Sequence, residues 1–446
     1  MRKTPDIAFI SVLAYLRRML RSRFGTVLSL AIMVTSSTPR LLAREYPAPA
    51  ELPVQSAFPD PLKTFAGQTI SGRSGWERRR KPELLNLFAH YMYGTMPPKP
   101  KGFRATVDAE YRDVLGGKAT MKLVSLRLGE EGAPVEHLIL LIPNAAKGRF
   151  PAFLGVNFNG NHQVLADPRI PLPTGWTPTK AKSGDRKATL ESERGAQTDV
   201  WAVEATIDRG YALACFHNGE VEPDQPDAQG GIRAWTRQKD GGKHDWGAIA
   251  AWAWGFHRAM DYLVTDASID AKRIAVVGHS RNGKAAVLAG ATDPRVALII
   301  PLQAGCGGTA PSRTQVGETV KRINTSFPHW FNANFKEFND QPERLPFDQH
   351  CLIALCAPRP VLLANAQEDS WANPAGQFEM LKLAAPVYRL YGKEELEASE
   401  MPPISTLSSG RLGYFIRPGK HSMTTPDWRA FLDYADRWLK PAPESK

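Results

Sequence analysis

One junction restricts the fold of this chain more than any other feature. Residues 273–277 read as an apolar strand, Gly278-His279-Ser280-Arg281 as a tight turn, and residues 282–289 as a helix that begins at once. A strand that gives way to a helix so abruptly needs small residues around the turn, and Gly278 and Gly283 stand on either side of Ser280. A serine held on such a turn projects from the backbone, as a hydroxyl nucleophile must to reach a carbonyl carbon. The usual spacing puts glycine two residues after the serine; here Asn282 occupies that place.

The surrounding sequence supplies a matching framework. Helical signal begins near Trp76, continues through Leu84, Leu85, Leu87, Phe88 and Tyr91, and stops before Gly94. Strand-like runs occupy residues 121–128, 137–142, 151–158, 211–216, 296–302, 360–366 and 413–417. Helical stretches at 201–209, from 246 to about 265, at 374–383 and at 428–439 alternate with the later strands. Such alternation predicts an α/β fold, a three-layer sandwich with a mostly parallel central sheet and helices on both faces. Ligands of such sheets bind at the carboxyl ends of the strands, where the loops after Phe158, Val277, Leu302, Ala366 and Arg417 gather. Residues 44–446 read as a single domain with a Pro-rich arm up to about residue 75. Polar insertions are expected near 165–200, 219–243 and 393–410.

The net charge of +11 invites a nucleic-acid or membrane reading, but residues 1–43 supply +6 of it and leave a dispersed +5. No Lys/Arg stripe remains, so nucleic-acid binding is not expected. The leader has a basic stretch to Arg23, an apolar run over 24–34 and a small-residue site ending at Ala43. It reads as a secretory signal, with an uncleaved anchor and a true start at Met19 as the alternatives. The expected destination is therefore secreted or periplasmic, with no stable membrane partner. Cys215, Cys306, Cys351 and Cys356 show no metal-site spacing, and at least two are expected as buried free thiols.

The chemistry-bearing residues follow the order Ser, acid, His, which is that of an α/β-hydrolase. Asp369 follows the strand at 360–366, and His421 lies in the turn Pro418-Gly419-Lys420-His421 after the last strand. Glu368 is the rival for the acid.

Here the chain resembles a known family. Gly278-His279-Ser280-Arg281-Asn282-Gly283-Lys284 is similar to the nucleophile signature of glucuronoyl esterases, carbohydrate esterase family 15. Phe327-Pro328-His329-Trp330-Phe331, Leu345-Pro346-Phe347-Asp348-Gln349-His350, Ala357-Pro358-Arg359-Pro360 and Asp369-Ser370-Trp371 resemble the bacterial branch, and the similarity runs from about residue 76 to the C-terminus. The resemblance implies Ser280 as nucleophile, His421 as base, Asp369 as acid and Arg281 as an oxyanion-stabilising side chain. It also implies Lys284, Glu318 and Trp371 as contacts to a uronic acid. Some members carry a catalytic or auxiliary Glu after the strand that follows the nucleophile helix. This chain has Gln303 there, which can line the substrate site but cannot carry the anion, so the duty falls on Asp369.

The implied activity is hydrolysis of (4-O-methyl)glucuronic acid esters, as in lignin–carbohydrate links on glucuronoxylan, with no cofactor and no metal. A monomer acting on a uronic-acid-bearing polysaccharide is expected. An acetylxylan or other carbohydrate esterase would keep Ser280, Asp369 and His421 without needing Lys284, Glu318 and Trp371 together. A non-catalytic carbohydrate-binding protein would keep the aromatic residues and lose the triad. Without the resemblance, Lys284 is equally a solvated lysine, Trp330 and Trp235 are packing residues, and Glu318 beside Lys321 and Arg322 is a surface ion pair.

Overall fold

Nine strands among the described residues make one sheet, in the order β1-β2-β3-β5-β4-β6-β7-β8-β9. They are β1 (Phe103–Val114), β2 (Ala119–Leu128), β3 (Val135–Pro143), β4 (Phe150–Asn157), β5 (Ala212–His217), β6 (Ile269–His279), β7 (Leu298–Leu302), β8 (Val361–Ala366) and β9 (Leu412–Arg417). This computed structural model describes residues 46–440 apart from 146–147, 180–184, 243 and 393–395, so the expected leader lies outside it. The elements below belong to the unit that begins at Pro47.

The pairing follows the connections. β1, β2 and β3 are joined by short links and pair antiparallel, as does β3 with β5. From β5 to β9 every pair is parallel, because a helix carries the chain back between strands. β5, β7, β8 and β9 are buried along their whole length, which is why their sequences are mostly apolar rather than alternating.

β1 is the strand absent from the sequence-based expectation. It lies at the sheet edge, is largely exposed, and carries Arg104, Asp108, Glu110, Arg112 and Asp113. Charge on an edge strand blocks pairing with other chains, and it also removes the apolar signal by which a strand is recognised.

Six helices frame the site: α1 (Lys81–Phe88), α2 (Val203–Asp208), α3 (Ala248–Leu263), α4 (Arg281–Thr292), α5 (Pro374–Arg389) and α6 (Thr425–Leu439). Val203 and Ile207 of α2, with Trp428 and Phe431 of α6, pack on Ala275, Val277, Ile300 and Ala364 of the sheet. Alternate residues of β6 face opposite sides, and α3, α4 and α5 cover the other one. The segment 219–243 is not a bare loop, since Asn218–Val221 and Ile232–Asp240 are helical. Its Gly, Asp and Gln content hides a helix whose buried residues are Ile232 and Thr236. All four cysteines are buried and free. No described helix is long and apolar enough to cross a membrane.

Candidate active site

Ser280 caps α4 with φ 59° and ψ −125°, a strained conformation for a residue bearing a Cβ. The turn survives because its neighbours are small. A Cβ on Gly278 would stand 2.1 Å from the Asn282 carbonyl, and one on Gly283 would stand 2.9 Å from the Leu302 carbonyl. Ser280 N–H donates to Leu302 O at 2.9 Å, and Ser280 O accepts from Gly283 and Lys284 at 2.8 and 3.1 Å. Asn282, the departure from the usual spacing, is buried and donates to Val156 O at 3.2 Å, tying α4 to β4.

His421 and Asp369 meet across two loops. Asp369 Oδ2 lies 2.6 Å from His421 Nδ1, and its Oδ1 accepts from Ala372 N at 3.2 Å. Asp369 is buried, whereas Glu368 is exposed and, among the described residues, bonds only through its amide, to Gly419 O at 3.0 Å. The His421 loop is folded around Arg417, whose guanidinium donates to Pro418 O, Lys420 O and Ser422 O and is held by Asp427 at 2.7 Å. Among the described residues no hydrogen bond joins Ser280 Oγ to His421, a link that often closes only with substrate bound.

A second histidine stands close by. The His279 ring centroid is 4.6 Å from that of His421. Gln303 Oε1 accepts from Ser422 N at 3.0 Å and lies 3.0 Å from His279 Nε2. The amide oxygen can only accept, so His279 Nε2 carries a proton and donates to it. Burial, reinforced by the His421 charge, pushes its pKa down to about 3. Gln303, at φ 49°, thus ties the residue before Ser280 to the residue after His421, and its Nε2 is buried with no partner among the described residues.

The start of α4 presents backbone amides beside Ser280. The first amides of α4 have no partner within their own helix, and the loop after β4 faces them from the adjacent parallel strand. That loop is fixed by Asn157, which accepts from Gly160 N at 2.7 Å, and by His217 Nε2, 3.0 Å from Phe158 O. Arg281 lies 4.9 Å from the Trp330 ring and 5.2 Å from Phe327, and it is ion-paired with Asp224. Asp224 Oδ1 also accepts from Trp330 Nε1 at 2.7 Å and faces His329 Nε2 at 2.9 Å. Burial pushes the Asp224 carboxyl upward, but His329, Arg281 and Trp330 outweigh it and hold the pKa below the usual range. Sequence reasoning missed Asp224, whose partners lie 57 to 106 residues away.

The three residues expected at the sugar are close together. Glu318 N donates to Trp371 O at 2.9 Å, and Glu318 Oε2 lies 2.8 Å from Lys284 Nζ. Lys284 also donates to Ala304 O at 2.8 Å and Cys306 O at 2.7 Å, so all three of its protons are taken. Glu318 is buried rather than a surface partner of Lys321, which pairs with Asp340. Trp371 is 42% exposed, with the Arg322 guanidinium 5.3 Å from its ring. Trp330 is buried and stacked on Phe327, centroids 3.7 Å apart at 3°.

Known proteins match this chain over most of its length. The family model described as "Glucuronyl esterase, fungi" matches residues 193–392. A carbohydrate esterase designated MZ0003, from an unknown prokaryotic organism, is 44% identical over 387 residues, covering 86% of this chain and 89% of the relative. The glucuronoyl esterase from Solibacter usitatus superposes with a TM-score of 0.80 at 38% identity, over 87% of this chain and 99% of that one. An esterase of carbohydrate esterase family 15 from a marine bacterial metagenome, described as promiscuous, gives a TM-score of 0.79 at 42% identity, over 88% and 99%. With its α/β-hydrolase sheet, this chain belongs to carbohydrate esterase family 15, the glucuronoyl esterases, and is a carboxylic ester hydrolase.

Proposed function

We propose that the chain cleaves esters of (4-O-methyl)glucuronic acid, such as those joining glucuronoxylan to lignin alcohols, through an acyl-enzyme on Ser280. The observation that carries this reading is the 2.6 Å pairing of His421 Nδ1 with Asp369 Oδ2 beside the strained turn of Ser280. Asp369 fixes the proton on Nδ1 and leaves Nε2 free to take the proton of Ser280 Oγ. The negative charge that develops on the carbonyl oxygen meets Arg281 and the amides at the start of α4. One such preorganised donor lowers the barrier by about 3–4 kcal/mol. The alcohol leaves with the proton held by His421, and water releases the acid by the reverse path.

On the acyl side, the ion pair and Trp371 suit a sugar. Glu318 Oε1 has no hydrogen bond among the described residues and is the acceptor open to a sugar hydroxyl. Lys284 serves by holding that carboxylate in place. Trp371 offers a ring face to the pyranose. Secretion or export to the periplasm suits a polymeric substrate, and one chain carries every residue named. The deciding experiment compares the purified chain on a benzyl glucuronate ester and on an acetylated xylose. A kcat/KM clearly higher on the glucuronate is expected; preference for the acetyl sugar contradicts the reading.

A further inference from the structure

The carboxyl end of β7 touches all three segments that carry the triad. Leu302 O accepts from Ser280 N at 2.9 Å. Gln303 N donates to Ala364 O at 2.9 Å, on the strand that leads to Asp369. Gln303 Oε1 accepts from His279 Nε2 and from Ser422 N, each at 3.0 Å. The sheet order makes this possible, because β7 lies between β6, which ends at His279, and β8.

Two costs are concentrated on Gln303. Its φ of 49° lies in the left-handed region, and strain of this kind persists only where the surroundings over-determine it. The residue is 1% exposed, and its Nε2 has no partner among the described residues, although an unpaired buried donor is destabilising. Both costs fall on the one side chain whose oxygen joins the nucleophile turn to the histidine loop.

The other restraints on His421 do not make that connection. Asp369 holds its Nδ1 edge, and Arg417 holds the carbonyls of Pro418, Lys420 and Ser422. These contacts shape the loop and orient the ring, yet none of them reaches β6 or the Ser280 turn. The His279 ring, centroid 4.6 Å from that of His421, fills the space between, and Gln303 fixes that ring as well.

We propose that Gln303 is a positioning residue. By gripping His279 and Ser422 on one amide oxygen, it sets His421 Nε2 within reach of Ser280 Oγ and so controls the turnover rate. The proposal rests on the reading of Ser280, His421 and Asp369 as the triad, and it holds for whichever acyl group is cleaved.

The test measures kcat and KM on a benzyl glucuronate ester and on p-nitrophenyl acetate, with melting temperatures to check the fold. Gln303→Met keeps the length of the side chain and removes the acceptor. It should lower kcat about 10- to 100-fold on both esters with KM nearly unchanged, the scale on which a small misplacement of a catalytic group acts. Gln303→Glu keeps the oxygen, and at the alkaline plateau of its own pH profile its kcat should return close to that of the wild type. A merely space-filling residue predicts the reverse order, with Met tolerated better than Glu. Wild-type kcat in Gln303→Met, a Glu variant as impaired as the Met variant, or a loss confined to KM or to the glucuronate ester overturns the proposal. Should Gln303→Met fail to fold, His279→Phe keeps a ring against His421 and removes the N–H from the Gln303 oxygen. It should lower kcat on both esters, and an unchanged kcat overturns the proposal. A wild-type chain that cleaves the acetate and not the glucuronate contradicts the uronate reading, while the acetate still decides the role of Gln303.

Discussion

Lys284 Nζ lies 2.8 Å from Glu318 Oε2 with both side chains buried, one helical turn beyond Ser280. The ammonium's other two protons go to Ala304 O and Cys306 O, so this lysine acts on the loop after β7 and on Glu318 before it acts on any ligand. Removing it leaves a buried carboxylate without a counter-charge. Lys284→Ala should cost about 3–5 kcal/mol of stability in a urea titration. Glu318→Gln, which keeps the shape and removes the charge, should raise KM for glucuronate esters and leave turnover of a small acetate ester nearly unchanged. An equal effect on both esters contradicts a sugar-contacting role for Glu318.

Asp224 sets the position of Arg281. Asp224→Asn keeps the shape but takes away the charge that holds the guanidinium beside Trp330. Its effect should fall on kcat by about 10- to 100-fold, the usual scale for a supporting residue, with KM nearly unchanged. A change confined to KM would assign Asp224 to substrate binding instead.

The acid is decided by geometry between adjacent residues. Asp369→Asn should lower kcat by about 10⁴-fold, because the amide favours the wrong histidine tautomer. Glu368→Gln should leave kcat close to that of the wild type, since its exposed carboxylate has no hydrogen-bond partner among the described residues. Comparable losses in the two variants would show that Asp369 is not the sole acid.

The sequence was most legible where a feature is set by consecutive residues. The turn at Ser280 was readable because its strand, turn and helix are consecutive, and the loops of Asp369 and His421 because each follows a largely apolar strand. Asp224, His279 and the bridging role of Gln303 were not readable. Each depends on partners brought together by the sheet order rather than by spacing. Asp224 reaches Arg281 across 57 residues, and Gln303 reaches Ser422 across 119. β1 escaped notice for the opposite reason, since its charged exposed faces give a strand no apolar period. Lys284 stood out in the sequence as a candidate, but its saturation by Ala304 O and Cys306 O is a property of a loop whose path no residue pattern announces.

Stability should fall with acid for a definable reason. Burial pushes the pKa of His162 and His257 down to about 4 and that of His279 to about 3, and it lowers His217 as well. The folded chain keeps these rings neutral while the unfolded chain protonates them near the ordinary value of 6.5. Their contribution is complete above that pH and is lost as pH falls toward the folded values. His137, bonded to Glu220, and His350, where Cys351 outweighs burial, shift upward, so the test is a difference. The melting temperature should drop between pH 7 and pH 4.5, and His162→Gln should flatten the slope, because both ring nitrogens of His162 are buried with no partner among the described residues. An identical slope in wild type and variant contradicts this account.

The central claim is that Ser280 carries the acyl group. Its most direct measurement is kcat/KM on a benzyl glucuronate ester for wild type and Ser280→Ala, with the fold of the variant checked by its melting temperature. Removing the nucleophile should lower turnover by about 10⁶-fold, as loss of a triad nucleophile does elsewhere. A folded Ser280→Ala chain that retains a tenth or more of wild-type kcat/KM would contradict the mechanism at its first step.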